Sequence, residues 1–342
     1  MTDQARGEGA ARAVKTHDEA AAEMRHILSG GRSSEQIREF LLAYNAREAT
    51  AEELGGFLQA VREAATPIEL APHLSRRAID IVGTGGDKSG SVNVSTMASL
   101  VVAASGVPVC KHGNRSASSK CGTADVLEKL GARIELSAGQ VSRSVAETGF
   151  GFVFAPSFHP AFKHVGPVRR ELGVPTVFNV LGPMANPATV AYMLVGVANP
   201  ARMQTMAAAL ARRTTGALVV HGHGGLDELS LAGPNRAIAT ANHAVLPERN
   251  IDASSLGLAS SSNEQLRGGD PAHNAGVVRD VLDNRLRGPI RDVVVLNAGV
   301  ALHVAQVVST PSEGVALADV TIASGKAAAT LDAFVAISNL NP

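Results

Sequence analysis

The segment Gly83-Thr-Gly-Gly-Asp87 combines residue types that bind anions, and Asn93-Val94-Ser95-Thr96 follows it at the predicted start of an apolar helix. Glycines let backbone N–H groups close around an anion, and a helix N-terminus with hydroxyl side chains adds donors and a favourable dipole. Lys88 stands where the dinucleotide fingerprint needs a third glycine, and the sequence has no P-loop G-K-[ST]. An isolated glycine-rich segment can be only a tight turn. Together with the loops described next, it predicts a cradle for phosphate or pyrophosphate.

A basic loop follows the next predicted strand and runs from Lys111-His112-Gly113-Asn114-Arg115-Ser116 to a helix that starts near Thr123. Lys111, Arg115 and Lys120 bring positive charges to a segment that also contains hydroxyl side chains and a glycine. Such a set suits several phosphate oxygens at once. The alternative is a basic loop that only faces solvent. It fits less well because the loop is interrupted by glycine and follows a buried strand, so we predict a phosphate-rich substrate.

Two adjacent carboxylates, Asp227 and Glu228, lie in Gly225-Leu-Asp-Glu-Leu-Ser230, shortly after the predicted strand that ends at His221. Carboxylates suit Mg²⁺, which keeps several waters and shares its coordination with substrate phosphates. The alternative is an acidic pair at the start of a helix. Beside two anion-binding loops, the pair predicts a Mg²⁺ site that is completed by the substrate.

An acceptor site is indicated by a helix-like stretch over 158–172, which leads to Phe178-Asn-Val-Leu-Gly-Pro183. At helical spacing His159, Phe162, Val165 or Gly166, and Arg169 share one face. A guanidinium matches a carboxylate, so this face could bind a planar acid through Arg169. The alternative is an amphipathic packing helix with an exposed arginine.

The elements that must position these loops fall into two groups. Residues 16 to 66 predict three short helices, because Thr16-His-Asp-Glu19, Ser33-Ser-Glu-Gln36 and Thr50-Ala-Glu-Glu53 are capping-box patterns. Apolar residues at helical spacing follow the first two caps, so these helices must pack against another element. We predict a small all-helical domain over 16–75, with a contribution from about 165–185.

From Ala78 onward, short apolar runs alternate with helical stretches, and this alternation predicts a mainly parallel sheet covered by helices. The predicted helices lie at about 95–105, 123–130, 138–148 and 200–213, and 260–269 is predicted to be an exposed turn region. The large α/β domain would cover 76–342. In such sheets ligands bind beyond the carboxyl ends of the strands, where the loops above lie. The predicted strands are Ala78–Val82, Val107–Cys110, Phe150–Ala155, Met193–Ala198 and Leu218–His221.

Composition excludes several other classes of protein. Among 342 residues, 31 Lys and Arg balance 31 Asp and Glu, so no global basic field attracts nucleic acid or an anionic membrane. Residues 1–15 lack an apolar segment typical of a signal peptide, and we expect them to be disordered. Cys110 and Cys121 are too few for a disulfide framework, which favours reduced thiols. We therefore expect a cytoplasmic enzyme with no nucleic-acid or membrane partner.

These blocks, in this order and spacing, resemble the anthranilate phosphoribosyltransferase family from about residue 20 to residue 335. The resemblance implies a nucleoside-phosphorylase-like phosphoribosyltransferase fold and a homodimer formed through the helical domain. It also implies transfer of the 5-phosphoribosyl group of phosphoribosyl pyrophosphate to anthranilate in tryptophan biosynthesis, with Mg²⁺ as cofactor. The blocks that carry it are Gly83–Asp87, Asn93–Thr96, Lys111–Ser119, Ala124–Leu127, His159-Pro160 through Arg169, Asn179–Pro183 and Gly225–Ser230.

The same resemblance implies roles for individual residues. Mg²⁺ would be bound by Ser95, Asp227 and Glu228. Anthranilate would be received by Asn114 and Arg169 with Gly83 nearby, and Lys111, Asn114 and Arg169 would be the catalytic residues. The phosphoribosyl donor would be bound by Gly83, Gly86, Asp87, Ser91, Asn93, Val94, Ser95, Thr96, Lys111, His112, Gly113, Asn114, Arg115, Ser116, Ala117, Ser118, Ser119 and Thr123.

Two positions depart from the family pattern, which usually has glycine at Lys88 and threonine at Ser91. Ser91 keeps the hydroxyl group, whereas Lys88 could stiffen the loop or add a phosphate contact. The resemblance implies catalysis by charge stabilisation of the leaving pyrophosphate, and we assign no general base because the amine of anthranilate is neutral at pH 7.

Two other functions fit the sequence less well than phosphoribosyl transfer. A pyrimidine-nucleoside phosphorylase would share the architecture but bind free phosphate and a nucleoside, and the carboxylate pair and the 111–119 loop disfavour it. A nucleic-acid-binding relative without catalytic activity would need a basic stripe, which the zero net charge disfavours.

Overall fold

The computed structural model describes residues 14–116 and 120–340. Its first three helices are α1 (His17–Leu28), α2 (Ser34–Ala46) and α3 (Ala51–Glu63). Each begins at a predicted capping box, in which the side chain of Thr16, Ser33 or Thr50 accepts the N–H of the residue three positions later. The prediction of three capped helices is therefore confirmed. Residues 1–13 of the predicted extension lie outside the described residues.

A buried carboxylate ties the helical bundle together. Glu53 is fully buried and accepts hydrogen bonds from Tyr44 Oη at 3.0 Å, Arg47 Nη1 at 2.8 Å and the N–H of Lys15 at 3.1 Å. Burial alone would raise the pKa of Glu53, but the bonds from Arg47 and its other donors outweigh burial and hold the pKa at about 2. Lys15, predicted as part of a disordered extension, is thus fixed to the bundle.

The larger part of the chain is built on one sheet with strand order β3-β2-β1-β4-β5-β6-β7, in which β8 also pairs with β6. All pairs from β3 to β5 are parallel, and the pairs made by β6 are antiparallel. The five predicted strands are the parallel ones, so the mainly parallel sheet is confirmed. The strands are β1 (Ile79–Gly83), β2 (Val109–Gly113), β3 (Phe150–Phe154), β4 (Tyr192–Gly196), β5 (Gly216–His221), β6 (Asn235–Ala241), β7 (Ala244–Val245) and β8 (Arg249–Ile251).

Helices cover this sheet, and the four that the sequence predicts are α5, α6, α7 and α11. No single helix among the described residues is long and apolar enough to cross a membrane, although α14 and α15 meet that test as a pair bent by 67°. The helices are α4 (Pro72–Ser75), α5 (Val94–Ala104), α6 (Thr123–Lys129), α7 (Ala138–Thr148), α8 (Ala155–Phe158), α9 (Gly166–Leu172), α10 (Phe178–Met184), α11 (Met203–Ala211), α12 (Pro271–Leu282), α13 (Pro289–Val304), α14 (Pro311–Ala323) and α15 (Lys326–Ser338).

Contacts join the helical bundle to the rest of the chain. Helix α3 packs against α10 and α11, and α2 packs against α9. The predicted contribution of 165–185 to the helical domain concerns these same segments, and the domain boundaries stay a prediction.

Two predicted segments differ from the structure. The stretch 158–172 is not one helix but α8, the 3₁₀ turn Pro160–His164 and α9, because Pro160 and Pro167 each lack an N–H and favour helix starts. The segment 260–269 is not a simple exposed turn. Leu266 is buried, and its carbonyl accepts the N–H of Val92 at 2.9 Å, so the segment supports the loop between β1 and α5.

Candidate active site

The strand order places a crevice at the carboxyl end of the central strand. From β1 the chain builds outward to β2 and β3 on one side, and then to β4 and β5 on the other. Such a switch point between neighbouring strands is where open α/β sheets bind ligands. Here the switch lies between β1 and β4, which end side by side at the paired residues Gly83 and Gly196.

Glycines at three strand ends allow the acidic loop to cross this crevice. A Cβ atom on Gly83 would lie 2.2 Å from Asp227 Oδ2, and one on Gly196 would lie 1.6 Å from the Asp227 carbonyl oxygen. A Cβ atom on Gly222 would lie 2.0 Å from the Glu228 carbonyl oxygen. Side chains at these positions would displace the loop, so the glycines bring the Asp227-Glu228 pair to the switch point.

The two carboxylates are half-buried beside the predicted phosphate cradle. Asp227 Oδ2 accepts the N–H of Gly85 at 2.6 Å, and Glu228 Oε1 accepts the N–H of Ser95 at 3.2 Å. Burial, followed by the charge of Asp87, raises the pKa of Asp227 to about 7. Burial, followed by the charge of Asp227, raises the pKa of Glu228 to about 8. The structure thus holds two carboxylates that a cation would stabilise in their charged form.

Asp87 contributes a third carboxylate to this corner. Its Oδ1 accepts the N–H of Ser89 at 3.1 Å, whereas its Oδ2 is buried without a hydrogen-bond partner in the described part of the chain. Within residues 14–116 and 120–340, no three His, Cys, Asp or Glu side chains are arranged to hold a metal ion by themselves. The acidic pair with Asp87 therefore fits a cation whose remaining ligands come from water and a bound phosphate.

The loop between β1 and α5 follows an unusual backbone path. Gly85, Gly86, Lys88 and Gly90 have φ values of 67°, 81°, 59° and 62°. Three of these positions carry no steric cost because glycine has no Cβ atom, whereas Lys88 is strained there. The sequence predicted Lys88 as a departure from a usual glycine, and the left-handed backbone explains why glycine is preferred.

Lys111 lies beneath the cradle instead of on its surface. Its side chain is almost completely buried, and Nζ donates to the carbonyl of Ile81 at 2.5 Å and to Ser95 Oγ at 3.2 Å. Burial lowers the pKa of Lys111, and the carboxylates Asp80, Glu228 and Asp227 oppose that shift. Lys111 thus places its amino group under Ser95, at the junction between the acidic pair and the predicted donor loop.

The remaining donor-loop residues are partly brought together. Thr96 Oγ1 donates to Thr123 Oγ1 at 3.3 Å, Asn93 Nδ2 donates to the Cys121 carbonyl at 3.3 Å, and Ser89 Oγ donates to Ser91 Oγ at 3.1 Å. These contacts bring the start of α5 next to the start of α6. Ala117, Ser118 and Ser119 lie outside the described residues.

Arg115 points away from the predicted donor site. Its Nη2 donates to Glu128 at 2.8 Å and its Nη1 to Asp125 at 3.2 Å, both on α6. Its backbone N–H donates to Asn114 Oδ1 at 2.7 Å. Contact between Arg115 and a phosphate would require this ion pair to open, so that role stays a prediction.

A buried polar link that the sequence analysis missed supports β2. Asp80 Oδ1 accepts the N–H of His112 at 3.1 Å, and Asp80 Oδ2 accepts Nδ2 of Asn186 at 2.9 Å. Burial, opposed by Lys111 and these bonds, raises the pKa of Asp80 to about 6. The signal was available, because an aspartate inside the apolar run 78–82 is unusual unless it has partners. Asp80 fixes the backbone at which β2 turns toward the cradle.

The predicted acceptor face is assembled from four aromatic rings and one guanidinium. His159 lies 5.2 Å from His112 between ring centroids and stacks on Phe162 at 5.0 Å. Phe162 meets Phe178 edge-on at 5.3 Å, and Arg169 lies over Phe178 at 5.3 Å. Despite the broken helix, the structure therefore brings His159, Phe162 and Arg169 together as predicted.

Several polar groups on this face are buried without partners. Both ring nitrogens of His159 and Nε2 of His112 lack hydrogen-bond partners in the described structure. Burial lowers the pKa of His159 to about 4, so its ring is neutral at pH 7. Arg169 has one long contact, from Nη2 to Asn179 Oδ1 at 3.4 Å, and no ion pair with a described residue. The face can therefore bind a flat molecule that carries a carboxylate.

Comparison with known proteins gives one consistent result. The family profile described as glycosyl transferase family, helical bundle domain, matches residues 11–65, and the one described as glycosyl transferase family, a/b domain, matches residues 75–328. Over 329 residues the chain is 45% identical to the anthranilate phosphoribosyltransferase of Chloroflexus aggregans, covering 96% of each protein. It is 46% identical to that of Thermomicrobium roseum over 325 residues, covering 94% of this chain and 92% of the relative.

Solved structures agree with these matches. The crystal structure of anthranilate phosphoribosyltransferase from Thermus thermophilus superposes with a TM-score of 0.91 at 42% identity, covering 96% of this chain and 97% of that one. The enzyme from Saccharomyces cerevisiae in complex with PRPP and Mg superposes with a TM-score of 0.83 at 27% identity, covering 94% and 93%. The nucleoside-phosphorylase alternative finds no support among these relatives.

Proposed function

This chain belongs to the anthranilate phosphoribosyltransferase family, and we propose that it transfers the 5-phosphoribosyl group of phosphoribosyl pyrophosphate to the amine of anthranilate. The products are N-(5-phosphoribosyl)anthranilate and pyrophosphate. The observation that carries the proposal is the position of the half-buried Asp227-Glu228 pair at the switch point, together with an acceptor face whose Arg169 has no ion-pair partner among the described residues. The yeast relative is known in complexes with PRPP and Mg and with 4-fluoroanthranilate, which supports both substrates.

On the donor side, we assign pyrophosphate binding to the loop of β1 and α5 and to Lys111 through Asn114. Asp227 and Glu228, with Ser95, would hold Mg²⁺, since their raised pKa values reflect a burial cost that a cation would offset. Bound Mg²⁺ would neutralise charge that grows on the leaving pyrophosphate. Lys111 supplies a fixed positive charge at the same place, so the bond to the anomeric carbon breaks in a preorganised electrostatic site.

On the acceptor side, Arg169 binds the carboxylate of anthranilate, and Phe162 and Phe178 border the ring. His159 is neutral, which leaves the pocket free of a second cation that could attract the carboxylate away from Arg169. Asn114 directs the amine toward the ribose. The amine is already neutral at pH 7, so it needs positioning and no base before attack. The proton that its nitrogen loses as the C–N bond forms goes to the departing pyrophosphate or to water.

Further assignments follow from the same proposal. The enzyme would act in tryptophan biosynthesis in the cytoplasm, and it would form a homodimer through its helical domain. Size-exclusion chromatography with light scattering measures the oligomeric state directly.

Product analysis tests the proposed function. Purified protein with phosphoribosyl pyrophosphate, Mg²⁺ and anthranilate should yield phosphoribosylanthranilate, identified by mass spectrometry, together with one pyrophosphate for each anthranilate consumed. A matched incubation with uridine or thymidine and inorganic phosphate should yield no free base. Release of the base in that incubation, with no phosphoribosylanthranilate in the first, would assign the chain to nucleoside phosphorolysis instead.

A further inference from the structure

A second cavity lies away from the strand ends, between the helical bundle and the large domain. It has a volume of about 440 Å³, which is within the range of small-molecule sites. One wall comes from α3 and the other from the end of α11 and the residues after it. The lining side chains that matter here are Leu58, Gln59, Arg62, Ala209, Arg212 and Arg213.

The cavity contains two guanidinium groups that have no carboxylate partner among the described residues. The side chain of Arg62 makes no hydrogen bond or ion pair with any described residue, and its Nε atom is buried. Arg213 donates through Nη1 to the carbonyl of Met184 at 2.7 Å and to Sδ of Met193 at 2.9 Å. Through Nη2 it donates to the carbonyls of Asn186 at 2.9 Å and Ala188 at 3.4 Å. Its Nε is also buried and has no hydrogen-bond partner in the described part of the chain. Buried N–H groups without partners are rare in native proteins and call for an unseen partner.

The other charges at the cavity are already neutralised. Arg212 binds Glu52, with 3.1 Å between Nη1 and Oε2, and Glu63 binds Arg25, with 2.6 Å between Oε2 and Nε. Burial lowers the pKa of Arg213 to about 9, and the nearby charge of Arg62 contributes to that shift. Arginine is protonated at pH 7, so the cavity holds two positive charges. The carboxylate of Asp80 partly offsets that of Arg213, whereas Arg62 has no ion-pair partner among the described residues.

We propose that this cavity binds a small phosphate-bearing anion between Arg62 and Arg213. A phosphate has several oxygens that can accept charge-assisted hydrogen bonds at once, from the guanidinium of Arg62 and from Nε of Arg213. The cavity exceeds the volume of a single phosphate, so it accepts a phosphate monoester as well as the inorganic ion. An occupant would connect α3 to α11 and thereby the helical bundle to the large domain.

Isothermal titration of the full-length protein with inorganic phosphate and with glycerol 3-phosphate tests this site. Wild-type protein should bind one more equivalent of either titrant than Arg62→Gln does, or bind that equivalent at least tenfold more tightly. The active site is the same in both proteins, so phosphate bound there cancels in the comparison. Arg279→Gln, which removes an exposed, ion-paired arginine elsewhere, should bind as the wild type does. A larger wild-type advantage for glycerol 3-phosphate than for phosphate identifies the monoester as the better ligand.

Stability separates binding from a structural role. Because Arg62 has no side-chain partner within residues 14–116 and 120–340 and lies near Arg213, Arg62→Gln should leave Tm unchanged or raise it in phosphate-free buffer. Added phosphate should raise Tm less for Arg62→Gln than for the wild type, since only the wild type has the second site. Identical isotherms for the two proteins would overturn the proposal. So would a change of oligomeric state in Arg62→Gln with no loss of phosphate binding, which would show that a second copy covers the cavity.

Discussion

Asp227 and Glu228 illustrate how burial prepares a residue for a ligand. Their pKa values are raised to about 7 and about 8, above the values near 4 that they have in an unfolded chain. The folded protein therefore binds more protons between about pH 4 and pH 8, and the free energy of unfolding falls as pH rises through that window.

The double variant Asp227→Asn/Glu228→Gln should show a flatter pH dependence than the wild type in metal-free buffer. Asp80 is present in both proteins, so its titration cancels. Urea denaturation at pH 5 and pH 8 measures the difference. If the free energy of unfolding depends on pH equally in both proteins, burial does not raise the pKa values of Asp227 and Glu228.

Arg169 determines acceptor binding in this account. Arg169→Ala should raise the Michaelis constant for anthranilate by about tenfold to a hundredfold, which corresponds to roughly 1.4–2.8 kcal/mol, and leave donor binding nearly intact. Initial rates with each substrate varied in turn measure both constants. Arg170→Ala is the matched control, since Arg170 is the exposed neighbour on the same helix. An equal loss of donor and acceptor affinity in Arg169→Ala would show that Arg169 does not bind the acceptor specifically.

Lys88 is a residue whose backbone costs stability. Because its φ is 59°, Lys88→Gly should raise the free energy of unfolding by roughly 1 kcal/mol relative to Lys88→Ala, which keeps the strained backbone. Urea denaturation of the two variants gives this difference. If donor affinity depends on the charge of Lys88, both variants should weaken it equally. Equal stabilities would mean that the loop adopts another conformation in solution.

At the scale of single residues, the sequence predicts which residue types gather at the site. It predicts less well where each side chain points. The acidic pair could be predicted because it follows the end of a strand. Arg169 could be predicted because it shares a helical spacing with His159 and Phe162. Arg115 could not, because its partners Asp125 and Glu128 belong to the next helix and compete with a phosphate. Asp80 was missed although it interrupts the apolar run 78–82, because its partners His112 and Asn186 lie far away in the sequence.

At the scale of elements, local signals decided what could be predicted. Capping boxes give the three N-terminal helices their starting residues, and apolar runs locate the five parallel strands. The antiparallel strand β6 lacks such a run, since its sequence, Asn235–Ala241, includes Asn, Arg and Thr. The 158–172 segment was wrongly predicted as one helix because its side chains keep a helical spacing across Pro160 and Pro167. The backbone is nevertheless divided into separate short helices at these two prolines.

Glu53 is the main polar connection of the helical bundle. Glu53→Gln should destabilise the protein by about 3 kcal/mol, because Arg47 loses the carboxylate that it faces in a buried position. The pKa of Glu53 is held at about 2, so the stabilisation is present above about pH 4.5 and is lost as pH falls toward 2. Thermal unfolding at pH 7 and pH 2 compares the variant with wild type. A stability gap as large at pH 2 as at pH 7 would contradict this role.

At the scale of the whole molecule, the chain combines a helical bundle and a sheet whose switch point holds the acidic pair. We propose that phosphoribosyl transfer to anthranilate takes place there and needs a cation held by Asp227 and Glu228.

The most direct test follows anthranilate fluorescence after phosphoribosyl pyrophosphate is added, first in metal-free buffer and then with Mg²⁺. Wild-type protein should consume anthranilate only after Mg²⁺ is added, and Asp227→Asn/Glu228→Gln should stay inactive at every Mg²⁺ concentration while keeping a cooperative unfolding transition. Turnover by the double variant at the wild-type rate, or wild-type turnover unaffected by removal of the metal, would contradict the account.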